Sequence, residues 1–190
     1  MRKFKKDDTL QVKQKGLADV PDKVSRGRIY LAGGAIMLAL LLLDQFTKHL
    51  AVLHLKGNPP MVLINGILEL QYLENTGSAF SLFQGQKVFI LGMGFVFLGA
   101  VLYFVRKIPA RKKFLAAHIL IAVLIAGALG NIIDRIRYDF VVDFISFVLI
   151  HFPVFNVADC YIVVSAICLF LLFMFVYKEE DLEWIGSASK

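Results

Sequence analysis

The chain has 190 residues, 58% of them hydrophobic and only 19% charged, with a mean hydropathy of +0.68. A soluble domain carries charge on about a quarter of its residues, and here the apolar residues are gathered into blocks, so the composition excludes a soluble globule and specifies an integral membrane protein. The net charge of +6 does not make it a nucleic-acid binder, because the basic residues flank apolar blocks and no basic stripe interleaves with aromatics.

In chain order, residues 1–28 are polar and net basic and read as a cytoplasmic extension. The apolar block Ile29–Leu43 then imitates a secretory signal. The residues after it, Asp44-Gln45-Phe46-Thr47-Lys48, offer no small-residue cleavage site, so a retained first span is expected at about 29–50. Further spans are expected at about 88–105, 114–135 and 154–177. At about 1.5 Å per residue, each is long enough or nearly so for a hydrocarbon core of about 30 Å.

Between the first two spans, Met61–Ile64 and Ile67–Tyr72 flank Asn65-Gly66, the favoured two-residue hairpin turn. Leu68, Leu70 and Tyr72 alternate with Glu69 and Gln71, as in a half-buried strand. A small outer sheet follows from this pattern. Ser78–Phe83 reads as a short interfacial helix with Phe80 and Phe83 toward lipid. The expected fold is thus an all-α membrane protein of four transmembrane helices, with a small extracytoplasmic β-sheet and a short interfacial helix.

Orientation comes from the basic flanks. Residues 1–28 and the connection Arg106–Lys113 are cationic, whereas 138–153 contain no Lys or Arg. The positive-inside rule then places both termini in the cytoplasm, segments 51–87 and 138–153 outside, and 179–190 as a cytoplasmic tail. The membrane domain is 29–178.

Two polar patterns interrupt the apolar blocks: Asn131-Ile-Ile-Asp134 and Asn156-Val-Ala-Asp159. On a helix, residues i and i+3 share a face, so each pattern would present an amide and a carboxylate together. Asp143 lies in the connection between them. By helical rise, Asp134 is about 30 Å and Asp44 about 22 Å along outward-running spans, and Asp159 is about one turn into an inward-running one. Four carboxylates (Asp44, Asp134, Asp143 and Asp159) therefore converge on the outer leaflet.

An ionisable group at membrane depth is costly and is a functional-site candidate by default. Structural roles compete: Asp44 precedes Lys48 by four residues, the favourable order for a helical ion pair, and Asp134 beside Arg135 can be an interface charge. Such a role explains less well an acid inside an apolar run (Asp143) or inside a span (Asp159). Two carboxylates sharing a site do not both ionise easily; one can take a proton from water while the other polarises a carbonyl, which is peptide hydrolysis without a metal or covalent nucleophile. Spacing alone leaves open whether Asp134 or Asp143 is the partner.

No nucleophilic triad, H-E-x-x-H or phosphate-binding loop competes with that chemistry. His49, His54, His118 and His151 lack metal-ligand spacing, and Cys160 and Cys168 form no C-x-x-C. Neither a metal nor an organic cofactor is expected. The competing functions are a small transporter or channel subunit, whose polar groups would spread across the membrane depth, and a non-catalytic scaffold for lipidated chains.

Five blocks together resemble bacterial lipoprotein signal peptidase (signal peptidase II): Asp44-Gln45-x-x-Lys48, Asn75-Thr76-Gly77-Ser78-Ala79-Phe80, Gly130-Asn131-x-x-Asp134-Arg135, Val141-Val142-Asp143-Phe144 and Phe155-Asn156-x-Ala158-Asp159. They occur in order over about 29–177. The resemblance implies an aspartyl endopeptidase of the bacterial cytoplasmic membrane, multi-pass, with its active site near the outer leaflet. Its substrates would be diacylglyceryl-modified prolipoproteins, cleaved before the lipidated cysteine.

It further implies Asp143 and Asp159 as the catalytic pair, with Asp44, Lys48, Asn75, Gly77, Asn131, Asp134, Arg135 and Asn156 binding substrate or supporting the pair. Membrane lipid is an implied partner, the cyclic peptide globomycin an implied inhibitor, and a monomer the implied state. Two departures are small: Ser78 stands where Ala is common, and Cys160 where a small polar residue is common.

Overall fold

The computed structural model describes residues 22–77 and 83–186. Four long helices make the bundle: α1 (Arg26–Leu55), α2 (Lys87–Lys107), α3 (Leu115–Tyr138, entered through a 3-10 turn at Lys112–Phe114) and α4 (Val157–Leu171, continued by a π-helical turn at Leu172–Val176). Each of the four is long and apolar enough to cross a bilayer. Strands β1 (Met61–Ile64), β2 (Leu68–Asn75) and β3 (Val141–Phe147) form an antiparallel sheet in the order β1-β2-β3. A short helix, α5 (Glu179–Gly186), follows the bundle.

Helix α3 is the centre, packed by α1, α2 and α4. Lipid is as apolar as a leucine side chain, so helices in it associate through close packing and internal hydrogen bonds rather than burial from water. Small residues on α3 provide that fit: Ala117, Ala126, Gly127 and Gly130 are buried, and a Cβ on Gly127 would collide with the Ala158 carbonyl of α4. By contrast, α2 buries only Leu98 and turns most of its surface outward.

Local chemistry sets the ends of the helices. The first helix runs well past residue 50, because no breaker occurs before Gly57, whose φ of +77° ends it. Asn58 then covers two orphan carbonyls, its N–H donating to Leu55 O (3.1 Å) and its Nδ2 to His54 O (2.9 Å). Pro59 and Pro60 prevent continuation. Helix α3 ends at Asp139, which is left-handed (φ +70°) and donates its N–H to Arg135 O.

The last span starts later than residue 154. Asn156 is extended (φ −133°, ψ −178°) and is the N-cap: its side chain accepts from Asp159 N, and the Asp159 side chain accepts from Asn156 N. This is a capping box. The two Asn-x-x-Asp patterns are therefore not equivalent. The first lies on a helix, but the second straddles a helix start, so its two residues do not share a helical face.

The hairpin forms with a different turn. Ile67 belongs to the connection, Ile64 pairs with Leu68, and only Gly66 of the Asn-Gly pair takes a left-handed φ (+70°). A two-residue type I′ turn needs positive φ at both central residues. The third strand is an addition to the sequence expectation: Val141–Phe144 is buried on both faces and so lacks the period-two alternation that marks a half-wet strand. Of the expected interfacial helix at Ser78–Phe83, residues 78–82 lie outside the described residues, as do 1–21 of the N-terminal extension.

At the end of the bundle away from the sheet, Phe114, Tyr177, Ile108 and Ile121 form an apolar cluster that Leu182 and Trp184 of α5 cover. The chain before α1 also docks there, with Val24 N donating to Ala110 O and Lys112 N to Asp22 O, each at 2.9 Å. The opposite, sheet-bearing end holds the buried aspartates and Lys48.

Candidate functional site

Every buried Asp and Lys among the described residues lies at the sheet end: Asp44, Lys48, Asp134 and Asp143. Two connected clusters divide them.

The first is an ion-pair cluster between α1 and α3. Lys48 Nζ lies 3.0 Å from Asp44 Oδ2 and 3.0 Å from Asp134 Oδ2, and it donates to Asn131 Oδ1 at 3.0 Å. An ammonium has three donors, and all three are used. Asp134 thus pairs with Lys48 rather than with its neighbour Arg135. Further donors reach the same carboxylates: Ala158 N donates to Asp44 Oδ1 (3.0 Å), Val142 N to Asp134 Oδ2 (3.2 Å) and Gln45 Nε2 to Asp134 Oδ1 (2.8 Å). One cluster therefore fastens four elements: α1, α3, β3 and α4. Gly130 makes room for it, since a Cβ there would overlap Asp44 Oδ2.

Gln45 is a participant that carbon-copy scanning for acids and bases passes over. Its signal was weak but present, an amide placed next to Asp44 in an otherwise apolar helix. The contributions of Ala158 and Val142 come from backbone N–H groups, which no side-chain pattern announces.

The second cluster holds Asp143 and Asp159. On the sheet, Leu73 opposes Asp143 and Asn75 opposes Val141, so Asn75 is the diagonal same-face neighbour of Asp143. Its Nδ2 donates to Asp143 Oδ2 at 2.8 Å, and Asn156 Nδ2 donates to Asp143 Oδ1 at 2.6 Å. Asp159 accepts from Asn131 Nδ2 at Oδ1 (2.7 Å) and from Asn156 N at Oδ2 (3.1 Å). Asn156 thus touches both carboxylates, one through its amide and one through its backbone. Asn75, Asn131, Asn156, Asp143 and Asp159 are brought together, and neither carboxylate is ion-paired among the described residues.

Amide orientation is fixed within this cluster. Asn131 Oδ1 faces Lys48, which cannot accept a hydrogen bond, so its Nδ2 must face Asp159. Asn156 Oδ1 takes the Asp159 N–H (3.1 Å), which commits its Nδ2 to Asp143. Asn75 Oδ1 accepts from Gly77 N (2.9 Å), and Arg135 Nη2 donates to Gly77 O (2.6 Å). Gly77 and Arg135 therefore hold the strand end that carries Asn75. Arg135 also donates to Asn131 O (3.2 Å), and its Nε is buried without a partner among the described residues.

The two carboxylates differ in surroundings. Asp143 is 1% exposed, whereas Asp159 is half-buried. Burial is the largest influence on Asp143; the Asn75 hydrogen bond opposes it, the Asp159 charge adds to it, and the pKa rises to about 6. Asp143 thus holds its proton further toward neutrality than an ordinary carboxyl.

A four-span bundle that buries acids at one end, beneath a three-stranded sheet, defines a multi-pass membrane protein with a protected carboxylate centre. A family model described as signal peptidase (SPase) II matches residues 36–175. The chain belongs to the signal peptidase II family.

Among its relatives are proteins named lipoprotein signal peptidase. That of Streptococcus thermophilus is 37% identical over 145 residues, spanning 76% of this chain and 92% of the relative. Those of Streptococcus agalactiae (38% over 147 residues, 77% and 92%) and Clostridium tetani (34% over 151 residues, 78% and 94%) are similar in extent. A solved bacterial membrane enzyme, determined by the in meso method at 2.3 Å, superposes with a TM-score of 0.68 at 28% identity, over 83% of this chain and 96% of that one.

Proposed function

We propose that this chain is an aspartyl endopeptidase that removes the signal peptide from diacylglyceryl-modified prolipoproteins, cleaving before the lipidated cysteine. Family membership supports signal-peptide removal from lipoproteins. The observation that carries the aspartyl mechanism is the linkage of Asp143 and Asp159 through Asn156, with both carboxylates held by neutral donors. Asp143, raised by burial to about 6, keeps its proton nearer to neutral pH than an ordinary carboxyl does.

Asp159, half-buried, is the member open to water and acts as the base. Asp143, buried and raised to about 6, gives its proton to the scissile carbonyl oxygen while Asp159 takes one from the attacking water; as the C–N bond breaks, Asp159 passes that proton to the leaving nitrogen and a diol hydroxyl returns one to Asp143. Asn75, Asn131 and Asn156 hold the two carboxylates in register. Asp44, Lys48 and Asp134 fix the elements that carry them, and Gly77 with Arg135 anchors the neighbouring strand end. This scheme calls on no metal and no organic cofactor.

The protein sits in the bacterial cytoplasmic membrane with both termini inside and the sheet end at the outer leaflet. That placement would let the substrate's acyl chains stay in lipid while its peptide reaches the pair. Monomeric action and inhibition by globomycin belong to the same reading. Against a transporter, the buried acids gather at one end instead of marking a path.

The test is a diacylglyceryl-modified prolipoprotein incubated with purified chain, wild type against Asp143→Asn and Asp159→Asn. Each substitution removes one proton site at nearly constant shape, and a general acid or base contributes about 10²–10⁴-fold. Loss of that size in both variants supports the dyad. Near wild-type cleavage by either one refutes it.

A further inference from the structure

Behind β3 lies an open groove of about 370 Å³, walled by α1, β2, β3 and the last turn of α3. Phe140 and Val142 line it, whereas Asp143, the next residue along the strand, faces the opposite side of the sheet. The groove is therefore separate from the carboxylate pair. Val52, Phe140 and Val142 give it an apolar part, and Gln45, Lys48 and Asp134 line it as well.

The rim is different. Arg137 is exposed and, among the described residues, makes no ion pair or hydrogen bond. Across from it, Lys56 is held over the Tyr72 ring (5.2 Å to the centroid) by its contact with Glu74 Oε1 at 2.9 Å. His49 adds a third basic side chain. The acid in the wall, Asp134, is already engaged: Lys48 pairs with it, and Gln45 Nε2 and Val142 N donate to it. The groove thus offers a prospective ligand the Arg137 guanidinium, which is unpaired among the described residues, with the Glu74-paired Lys56 beside it and apolar lining from Val52, Phe140 and Val142.

Its height in the membrane narrows the occupant. Arg137 and Lys56 stand at the ends of α3 and α1, where helices leave the hydrocarbon. Beside the groove, α1 exposes Phe46, Leu50 and Leu53, and α3 exposes Ile136, an apolar track down which acyl chains can run. A free anion would use the rim and leave the track unused; a neutral lipid would do the reverse. We propose that this groove seats the phosphate of an anionic phospholipid from the leaflet at the sheet end, between Arg137 and Lys56, with its acyl chains along α1. The proposal rests on the bundle spanning a membrane and is independent of the peptidase reading.

The test is native mass spectrometry of the full chain, released from detergent and titrated with phosphatidylglycerol or phosphatidylcholine. The wild type should bind one phosphatidylglycerol in clear preference to phosphatidylcholine. Arg137→Gln with Lys56→Gln should lower that preference about tenfold or more, since each cation near a lipid surface contributes several-fold. Arg137→Gln alone touches an exposed side chain without partners among the described residues, so it keeps the fold and should lose part of the preference. Equal binding of both lipids by the wild type overturns the proposal, and so does a preference that survives in the double variant. Displacement of the lipid by millimolar inorganic phosphate would also overturn it, because the site would then be one for a free anion.

Discussion

Replacing Asp143 by Asn should make the protein's stability less dependent on pH, by an amount that follows from burial. The folded-state pKa of about 6 lies above the ordinary 3.8. Between those values the native state binds more protons than the unfolded chain, so stability falls as pH rises through the window. The penalty is absent below about pH 3.8 and complete above about pH 6. At about 1.4 kcal/mol per pKa unit it amounts to about 3 kcal/mol.

Asparagine carries no charge and removes this penalty, but it introduces another. Its single acceptor oxygen cannot satisfy both Asn75 Nδ2 and Asn156 Nδ2, and one unsatisfied buried donor costs about 1–3 kcal/mol at every pH. At pH 4 the variant should therefore unfold at a lower temperature than wild type. At pH 8 the two effects nearly cancel. The assay is thermal unfolding in detergent at both pH values, reading the difference between variant and wild type. That difference should move in the variant's favour by about 2–3 kcal/mol from pH 4 to pH 8. A difference that is the same at both pH values would refute the account of Asp143 as a carboxyl raised by burial.

Other substitutions probe the packing around the pair. Lys48→Met leaves Asp44 and Asp134 buried without their cation; a loss of about 3–5 kcal/mol is expected, read as a large drop in unfolding temperature. Gly130→Ala forces a methyl into Asp44 and should cost about 1–3 kcal/mol or more, whereas Gly99→Ala, with open space around it, should leave the unfolding temperature unchanged or raise it. Arg135→Gln removes the charge-assisted contact to Gly77 O; the unfolding temperature should fall, by the equivalent of about 1.5–3 kcal/mol, and prolipoprotein cleavage should slow.

The membrane spans were legible because block hydropathy needs no tertiary information. The convergence of acids was legible too, since helical rise converts residue number into depth. What escaped had other causes. Strand β3 hides its identity by being buried on both faces, which erases the alternation that revealed β2. The late start of α4 depends on how Asn156 and Asp159 satisfy each other's backbone, and the same letters on α3 do something else. Gln45, Ala158 N and Val142 N enter only because folding brings α1, α4 and β3 to one place.

The capping box at the head of α4 gives one side chain two masters. Asp159 is a proposed acid–base group, yet its Oδ2 also accepts the N–H of Asn156, the N-cap of the helix that carries it. A mutational scan that reads only survival would score residue 159 as intolerant without saying why. Asparagine keeps an oxygen for that backbone contact while removing the proton site; alanine removes both, at about 1 kcal/mol for the lost cap interaction. Comparing those two substitutions separates what this position contributes to folding from what it contributes to turnover.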